Sequence, residues 1–584
     1  MTPQDRTIHV LFPLLLLVIV QALFMVLDAS PVLRGEVFDT DGYMRLNRVL
    51  RLHETGDWFD TTIPRGNAPY GEVLIWTRPL DVLLIAGAWL LSPIAPFEPA
   101  LFWSGAAISP LLQLATVLAL GWAVRPIFDW ARIGLLGLLF AAQPDILSYY
   151  LAGRADHHGL ILLLFVLSLG FTLRFLLRPH DRRLCLLSGA AAGLSIWVSV
   201  EGLVALCATL ATLAAFWVAS DRDIARKARD HAAGMLLVLT AAVALEQPDV
   251  LRVEYDRVSV VHWTIGALLV PFWWLAAALE ARGPAARFLR HRLAYALAGA
   301  GVSAAVLVLL YPMFFRGPLA DMDPRLFAIW FDKISEIKPL LASDNPSLGK
   351  IVFVLGIALA ALPFLAWTIA RERGGVAWPA WVMICVAAAV YLPLALAMRR
   401  WSAYVEIILL VPYVELLARV LDRLDRMFGA GSRATLARSA VMAVFAIGFL
   451  FLGGAMLIVE KQSTSRLAGK ACPLTELSRY LDDPAGWGAR RRTILTFIDF
   501  GPELMYRTRH GVVATPQVRN EAGILDAHGM LTATDDGAAQ ALVAQRRVDL
   551  VLLCPRSTEE IFYGKGGNGT LYGRLLAGQG PRWL

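Results

Sequence analysis

The sequence predicts a polytopic α-helical membrane protein with a small C-terminal α/β domain on the external face. Of the 584 residues, 57% are hydrophobic and 17% are charged, whereas a soluble globular chain carries about 25% charged residues. The mean hydropathy is +0.58. Apolar runs of about 18 residues or more, each long enough to cross about 30 Å of hydrocarbon, recur as far as residue 459. This composition excludes an ordinary soluble domain.

The first apolar run predicts a retained membrane helix. Arg6 precedes an apolar stretch that is long for the core of a signal peptide and ends without a small-x-small cleavage site. We therefore expect a transmembrane domain at residues 1–463. Its apolar runs predict about 13 helices, at 9–27, 100–124, 132–149, 157–177, 184–200, 202–219, 232–246, 258–279, 293–312, 350–370, 376–397, 402–420 and 438–459.

The positions of the basic residues test this count. With the N-terminus inside, every short inside loop carries arginine or lysine, as the positive-inside rule requires. Residues 81–95 are apolar but interrupted by Pro93 and Pro96, and counting them as a full span would move those basic loops outside. The net charge of +7 therefore reflects topology and does not indicate nucleic-acid binding. The polar segments on the external face are residues 28–80, 150–156, 313–349 and the tail after Glu460.

The tail, residues 464–584, predicts a small external α/β domain. It contains a strand, a helix and a second strand, at residues 493–498, 536–547 and 548–553. The five cysteines have no zinc-site spacing. Cys472 and Cys554 can form a disulfide if the tail is external.

An acidic motif lies where an apolar hairpin re-enters the membrane, in Arg154-Ala155-Asp156-His157-His158. An ionised carboxylate in such a place costs several kcal/mol unless it is paired or coordinated. Asp156 and His158 can chelate one divalent cation, and Asp41 can add an oxygen ligand. Mixed oxygen and nitrogen ligands favour Mn²⁺ or Mg²⁺ over Zn²⁺. The alternative is that Asp156 caps the next helix and the histidines form interfacial hydrogen bonds.

Two further carboxylates lie in the other external segments. Asp41 begins a stretch with the pattern of an amphipathic helix, and its alternative role is to cap that helix. Glu336 on its own is an ordinary loop carboxylate, but loops as long as residues 313–349 usually act as lids or binding loops. Because these groups share a face with Asp156, we predict a metal-dependent site at the membrane surface.

Two motifs near the C-terminal half suggest ligand contacts. Arg400, in Arg399-Arg400-Trp401, opens a late apolar span, where it can bind a phosphate or snorkel to anionic headgroups. Asp499 follows a strand in Phe497-Ile498-Asp499-Phe500-Gly501, and loops at strand ends commonly carry binding groups. Its alternative role is to cap the following helix.

Taken in order, these motifs resemble those of the catalytic-subunit family of oligosaccharyltransferases, within the GT-C class of membrane glycosyltransferases. The resemblance covers nearly the whole chain, and the Asp-His-His form of the metal motif is similar to the archaeal branch. The matching motifs are Thr40-Asp41-Gly42-Tyr43, Asp156-His157-His158, Ile334-Ser335-Glu336 with Pro339, Arg400-Trp401 with Tyr404, and Asp499-Phe500-Gly501.

The resemblance implies a glycosyltransferase of the cytoplasmic membrane. The donor would be a sugar or oligosaccharide on a polyprenyl phosphate or pyrophosphate, and the acceptor would be a peptide, lipid or glycan on the external face. By the same resemblance, Asp41 and Glu336 are catalytic, and Asp41, Asp156 and His158 bind Mn²⁺ or Mg²⁺. Arg400 binds the donor phosphate, and Asp499 and Glu336 bind the acceptor.

One departure keeps other functions open. The family's acceptor motif has two tryptophans where this chain has Phe497-Ile498, which supports a GT-C enzyme that adds a single sugar to a lipid or cell-surface glycan. A transporter or flippase of lipid-linked sugars is disfavoured, because transporters place ionisable groups near the bilayer midplane. An inactive scaffold is a further alternative.

Overall fold

The computed structural model describes residues 3–27, 29–219, 223–281, 289–341, 347–429, 431–462 and 472–584. Its helices are α1 Pro3–Val26, α2 Thr40–Thr55, α3 Arg78–Leu91, α4 Phe97–Val124, α5 Trp130–Phe140, α6 Pro144–Tyr150, α7 His158–Leu176, α8 Arg182–Val198, α9 Gly202–Val218, α10 Ile224–Glu246, α11 Val260–Ala281, α12 Leu289–Leu310, α13 Arg325–Ile329, α14 Leu348–Arg371, α15 Trp378–Ala397, α16 Ser402–Phe428, α17 Ser432–Gln462, α18 Leu474–Leu481, α19 Gly501–Arg507, α20 Glu521–Thr532, α21 Asp536–Arg546, α22 Glu559–Tyr563 and α23 Leu571–Leu576. The strands are β1 Thr62–Ile63, β2 Glu72–Val73, β3 Thr493–Leu495, β4 Gly511–Val512 and β5 Leu550–Val551.

Nine of the described helices are long and apolar enough to cross a membrane, or ten if the bent pair α5 and α6 forms one span. Helical structure lies in every range that the apolar runs predict. However, α8 and α9 have 17 residues each, and α16 carries Glu406 and Glu415 within its apolar stretch. The prediction of about 13 spans therefore stays a prediction.

The single helix predicted at residues 132–149 is wrong, because α5 and α6 meet there at an angle of 75°. Gln143 between them has φ −87° and ψ 118°, outside the helical region. Pro144 explains this break, because proline disfavours helical geometry in the preceding residue and has no N–H to continue a helix. The break sets the direction of α6, which leads directly into residues 151–157, the re-entry turn.

Apolar side chains are exposed along α1, α12 and α17. Leu15, Leu297 and Phe451 on these helices are 58%, 66% and 71% exposed. Contiguous apolar surfaces of this kind are rare on soluble monomers, whereas lipid tails are as apolar as leucine and solvate them without penalty. The chain is a multi-pass membrane protein.

The first loop between α1 and α4 folds into α2, an antiparallel hairpin of β1 and β2, and α3. Asp39 caps α2, because its Oδ1 accepts the N–H of Gly42 at 2.8 Å. The capping role considered for Asp41 is therefore wrong, and Asp41 lies in the first turn of the helix. The short helix α3 covers most of the apolar residues 81–95, which were not counted as a full span.

The tail contains a parallel three-stranded sheet in which β3 lies between β4 and β5. The predicted strands contribute β3 and β5, and the predicted helix is α21. A disulfide joins Cys472 to Cys554, whose Cα atoms are 5.9 Å apart. The predicted boundary at residue 463 lies outside the described residues.

The first loop packs directly on this sheet. The N–H of Ala68 donates to the carbonyl of Val512 at 2.9 Å, and the N–H of Val512 donates to the carbonyl of Arg65 at 2.8 Å. Trp76 of the loop and Ile494 of β3 belong to one buried apolar cluster. Two segments more than 400 residues apart in sequence are thus held as one body.

Candidate active site at the re-entry turn

The backbone of the re-entry turn is fixed between α4 and the first loop. The N–H of Gly153 donates to the carbonyl of Ala106 at 3.0 Å, and the carbonyl of Gly153 accepts the N–H of Phe38 at 2.9 Å. Gly153 has φ +88°, and a Cβ there would lie 2.6 Å from Cγ2 of Val32. Glycine is therefore required at this position, and the residues that follow it have a defined direction.

Asp156, His157 and His158 form a compact group in which the candidate ligand atoms lie within 4.8 Å of one another. The Oδ1 atom of Asp156 contacts Nδ1 of His157 at 2.5 Å, and its Oδ2 atom lies 3.4 Å from Nε2 of His158. Asp156 is 2% exposed, and its Oδ2 accepts no hydrogen bond within the described residues. A buried carboxylate oxygen without a donor, beside two imidazoles, fits a divalent cation.

The capping role considered for Asp156 is wrong, because α7 begins at His158 and the preceding residue is His157. His157 itself was not among the predicted ligands. The structure places it beside Asp156 as closely as His158, whereas Asp41 lies outside this three-residue group. This group therefore offers a divalent cation two imidazoles and one carboxylate as ligands. Asp41 could add to them only from outside the group.

Arg154 connects the carboxylates of the three loops. Its Nη2 donates to Oε1 of Glu336 at 2.7 Å, and its Nε lies 3.4 Å from Oδ2 of Asp39. The same Nη2 lies 3.9 Å from Oδ2 of Asp156. On the other side, Nε2 of His158 is 3.7 Å from Oε2 of Glu336. We call Asp39, Asp41, Arg154, Asp156 and Glu336 the acidic cluster.

The pKa values divide the carboxylates of the cluster into two pairs. The histidines and Arg154 lower the pKa of Asp156, and His158 and Arg154 lower that of Glu336. Burial, with the charges of Asp156 and Glu336, raises the pKa of Asp39 to about 6 against the opposing effect of Arg154. Burial and the charges of Asp156, Asp39 and Glu336 raise the pKa of Asp41 well above its ordinary value. Negative charge on Asp39 and Asp41 is therefore unfavourable, and a bound cation would lower its cost.

Glu336 and Arg400 are held together by backbone, and their side chains have different partners. The N–H of Arg400 donates to the carbonyl of Glu336 at 2.9 Å. The guanidinium of Arg400 pairs with the carboxylate of Glu201, which precedes α9. Arg400 is thus close to the acidic cluster, but a phosphate would have to share or replace the Glu201 contact.

Among the described residues, Asp499 makes no hydrogen bond or ion pair with the acidic cluster. Burial raises the pKa of its partly buried carboxyl group to about 6. The following helix α19 has no side-chain cap, so the capping role considered for Asp499 is wrong. Phe497 and Ile498 are 1% and 2% exposed and pack in the apolar core of the tail.

Gln517 joins the tail to the acidic cluster, because its Nε2 donates to Oδ1 of Asp41 at 3.1 Å. Nothing in the local sequence around Gln517 indicates this contact. Asp39 and Arg154, in contrast, lie two residues from Asp41 and Asp156. A search of the residues that flank the two acidic motifs would have found them.

No family model matches the chain, and no curated protein matches it in sequence. Solved structures do match. An archaeal oligosaccharyltransferase, AglB from Archaeoglobus fulgidus in complex with an inhibitory peptide and a dolichol-phosphate, superposes with a TM-score of 0.73 at 15% identity, over 97% of this chain and 71% of that one. The chain shares the fold of this oligosaccharyltransferase.

Two further structures of the Archaeoglobus fulgidus oligosaccharyltransferase agree with this result. One, tethered to an acceptor peptide containing the NVT sequon, has a TM-score of 0.69 at 15% identity, over 94% of this chain and 68% of that one. The other, a complex with Zn and sulfate, has a TM-score of 0.64 at 14% identity, over 89% of this chain and 64% of that one. The resemblance drawn from the motifs is confirmed at the level of the fold.

Proposed function

We propose that this protein is a metal-dependent membrane glycosyltransferase that transfers a sugar or oligosaccharide from a polyprenyl phosphate or pyrophosphate to an acceptor. The observation that carries the proposal is the acidic cluster. Within a fold shared with AglB, three separate loops bring Asp41, Asp156 and Glu336 around one arginine beside two histidines. The structures of the related fold contain a dolichol-phosphate, an acceptor peptide and Zn, which supports a lipid-linked donor and a divalent metal.

Asp156, His157 and His158 would hold the cation, and Asp41 would complete the set on the side of the first loop. A bound Mn²⁺ or Mg²⁺ supplies charge stabilisation for the leaving phosphate. The residues around it do the remaining work. Asp41 and Glu336 orient the acceptor nucleophile and take its proton, a role for which a carboxylate must lie within about 3 Å. Arg154 holds the carboxylate of Glu336 at 2.7 Å and so fixes its direction.

Arg400 is our candidate for the donor phosphate. It lies beside Glu336 through the backbone hydrogen bond, and arginine matches phosphate geometry. Its pairing with Glu201 supports a divided role, in which the carboxylate holds one edge of the guanidinium and leaves the other edge for the phosphate. Asp499 would contact the acceptor together with Glu336.

We further propose that the site lies on the external face of the cytoplasmic membrane, above about 13 spans, with the tail as an external domain at residues 464–584. The basic residues of the short loops between helices support this orientation. The pairing of Cys472 with Cys554 also supports it, because disulfides persist in oxidising compartments.

A second candidate is a single-sugar transfer to a lipid or cell-surface glycan. The observation in its favour is the burial of Phe497 and Ile498, which pack in the core of the tail at the positions where the oligosaccharyltransferase motif has its two tryptophans. In this version the metal and donor side are unchanged, and only the acceptor differs.

The test is a transfer assay with the purified protein. Polyprenyl-linked glycans from the membranes of the source cells are incubated with the protein and Mn²⁺, with or without EDTA, and loss of glycan from lipid is followed by mass spectrometry. We expect transfer that EDTA abolishes and that returns with excess Mn²⁺. Because the four residues proposed to hold the cation supply few ligands, millimolar EDTA should remove it completely.

Two acceptor tubes separate the candidates. Transfer to a sequon peptide would establish protein N-glycosylation, and transfer only to an extract of native lipids and glycans would establish the second candidate. Transfer that is unchanged in EDTA would contradict the metal dependence. No transfer to either acceptor by a folded protein would contradict both candidates.

A further inference from the structure

One short segment of the tail is built into the candidate active site. Residues 515–520 form a compact turn in which the N–H of Gln517 donates to the carbonyl of Thr515 and the N–H of Asn520 donates to the carbonyl of Gln517, both at 2.8 Å. The Nδ2 of Asn520 also donates to the Thr515 hydroxyl at 3.0 Å. We call residues 515–520 the tail turn. These internal hydrogen bonds fix the backbone from which the Gln517 side chain extends.

The tail turn is attached to the rest of the protein on two sides. On one side the Thr515 hydroxyl donates to Oε2 of Glu72 in the first loop at 2.5 Å. On the other side Arg519 forms a two-armed ion pair with Asp256, at 2.8 and 2.6 Å, and reaches Oε1 of Glu254 at 3.1 Å. Asp256 and Glu254 belong to the connection between α10 and α11.

Between these two attachments, Gln517 points at Asp41. Its side chain is 5% exposed, and its amide donates to Oδ1 of Asp41 at 3.1 Å. An aspartate side chain on the first turn of a helix is free to rotate about the bond to its carboxylate. A buried donor on one oxygen fixes that rotation and leaves the second oxygen of Asp41 with a set direction.

We propose that Gln517 is a positioning residue for Asp41, so that the tail turn completes the active site. The inference rests on the proposed function of Asp41. The tail then contributes to the chemistry through Gln517, separately from any contact with the acceptor. The ion pair between Arg519 and Asp256 holds Gln517 in place. Loss of an outer hydrogen-bond partner of this kind typically lowers metal affinity or activity by about 10–100-fold.

The direct test is Gln517→Met, which keeps the shape of the side chain and removes its donor. The matched control is Gln540→Met, on the exposed face of α21. In the full-length purified protein with Mn²⁺ we expect kcat to fall about 10–100-fold with the donor KM within about twofold of wild type. Mn²⁺ binding, measured by electron paramagnetic resonance without any substrate, should weaken by a similar factor, and Gln540→Met should match wild type in all three quantities.

The second test separates positioning from general packing. Arg519→Gln should lower kcat in the same direction, and the double variant with Gln517→Met should be no worse than the poorer single variant, because both act through one contact. The matched control is Arg574→Gln, which removes an ion pair with Asp536 elsewhere in the tail. Hydrogen exchange should quicken at the amides of the tail turn in Arg519→Gln and stay slow in the central strand β3.

The outcomes are distinct. Wild-type kcat and Mn²⁺ affinity in Gln517→Met would overturn the inference while leaving the proposed function intact, and so would a loss in Arg519→Gln alone. If the wild-type protein transfers no sugar, the proposed function fails, and the Mn²⁺ affinities of Gln517→Met and wild type still decide whether Gln517 supports Asp41.

Discussion

Two clusters of charged side chains meet along α2, and they have opposite excess charge. At the start of the helix, the acidic cluster sets four carboxylates against Arg154. Further along, three arginines surround one carboxylate. Asp81 accepts from Arg45 at 3.0 Å, from Arg48 at 2.6 Å and from Arg78 at 3.2 Å. We call these four residues the basic cluster.

The difference shows that burial by itself does not decide the state of a carboxylate. Asp41 and Asp81 are both desolvated, yet the pKa of Asp41 is raised well above its ordinary value, whereas that of Asp81 is lowered. Burial raises both pKa values, and the three arginines around Asp81 outweigh it. Around Asp41 the charges of Asp156, Asp39 and Glu336 add to it. A carboxylate surrounded by arginines is structural, and a carboxylate among other carboxylates is ready for a cation.

The largest expected effect is on activity, in Asp156→Asn. The variant removes one ligand and one negative charge that two histidines and Arg154 stabilise. We expect transfer to fall by at least about 100-fold, with a smaller fall in the thermal midpoint, because the low pKa of Asp156 means that the fold stabilises its charged form. The transfer assay and a thermal melt in detergent measure both quantities. Activity above a tenth of wild type would contradict the role of Asp156.

The opposite pattern is expected for Asp81→Asn in the basic cluster. This substitution leaves three buried guanidinium groups without their shared carboxylate, which should destabilise the protein by about 3–5 kcal/mol. The thermal midpoint should fall accordingly. The matched control is Asp536→Asn, because that carboxylate is 47% exposed and its pairing with Arg574 should matter little. An equal fall of the thermal midpoint in Asp81→Asn and in Asp536→Asn would contradict the structural role of the basic cluster.

A third carboxylate, Glu72, sharpens the comparison, because no arginine pairs with it among the described residues. Burial raises the pKa of Glu72 from its ordinary 4.5 to about 7, although the Thr515 hydroxyl donates to it. Its contribution to stability is fully present below about pH 4.5 and is lost as the pH rises through about 7, because the folded state retains a proton that the unfolded state releases.

Glu72→Gln should therefore stabilise the protein by about 1–3 kcal/mol at pH 8 and have little effect at pH 4.5. Thermal midpoints of wild type and variant across this pH range provide the measurement. A gain of the same size at both pH values would show that the effect comes from packing and not from ionisation.

The helices and strands that were predicted correctly are those with a local signal in the sequence. Long apolar runs located the helices, including the short α3, and short apolar stretches of the tail located β3 and β5. Prediction from the sequence failed where one residue changes the geometry of a run, as Pro144 does between α5 and α6. It also failed for the capping of α2, because Asp39 and Asp41 are both plausible caps in the sequence and only the backbone geometry distinguishes them.

The candidate site shows the same division. Asp41, Asp156, His158 and Glu336 were predicted from the types of residue in three loops, and the structure brings these loops together around Arg154. His157 was passed over because the chelate was expected to skip it. Arg400 was predicted to bind the donor phosphate, which stays a prediction. Its pairing with Glu201, about 200 positions away in the sequence, has no local sequence signal.

The sequence by itself determined that the chain spans a membrane and that acidic motifs occupy polar segments between its apolar runs, because hydropathy and residue type are properties of short stretches. Only the tertiary structure decided which charges meet. Gln517 and Asp41 are 476 positions apart, and their contact depends on a sheet, a tail turn and an ion pair that form only when the whole chain packs. Long-range side-chain geometry is set by packing, and a single sequence does not record it.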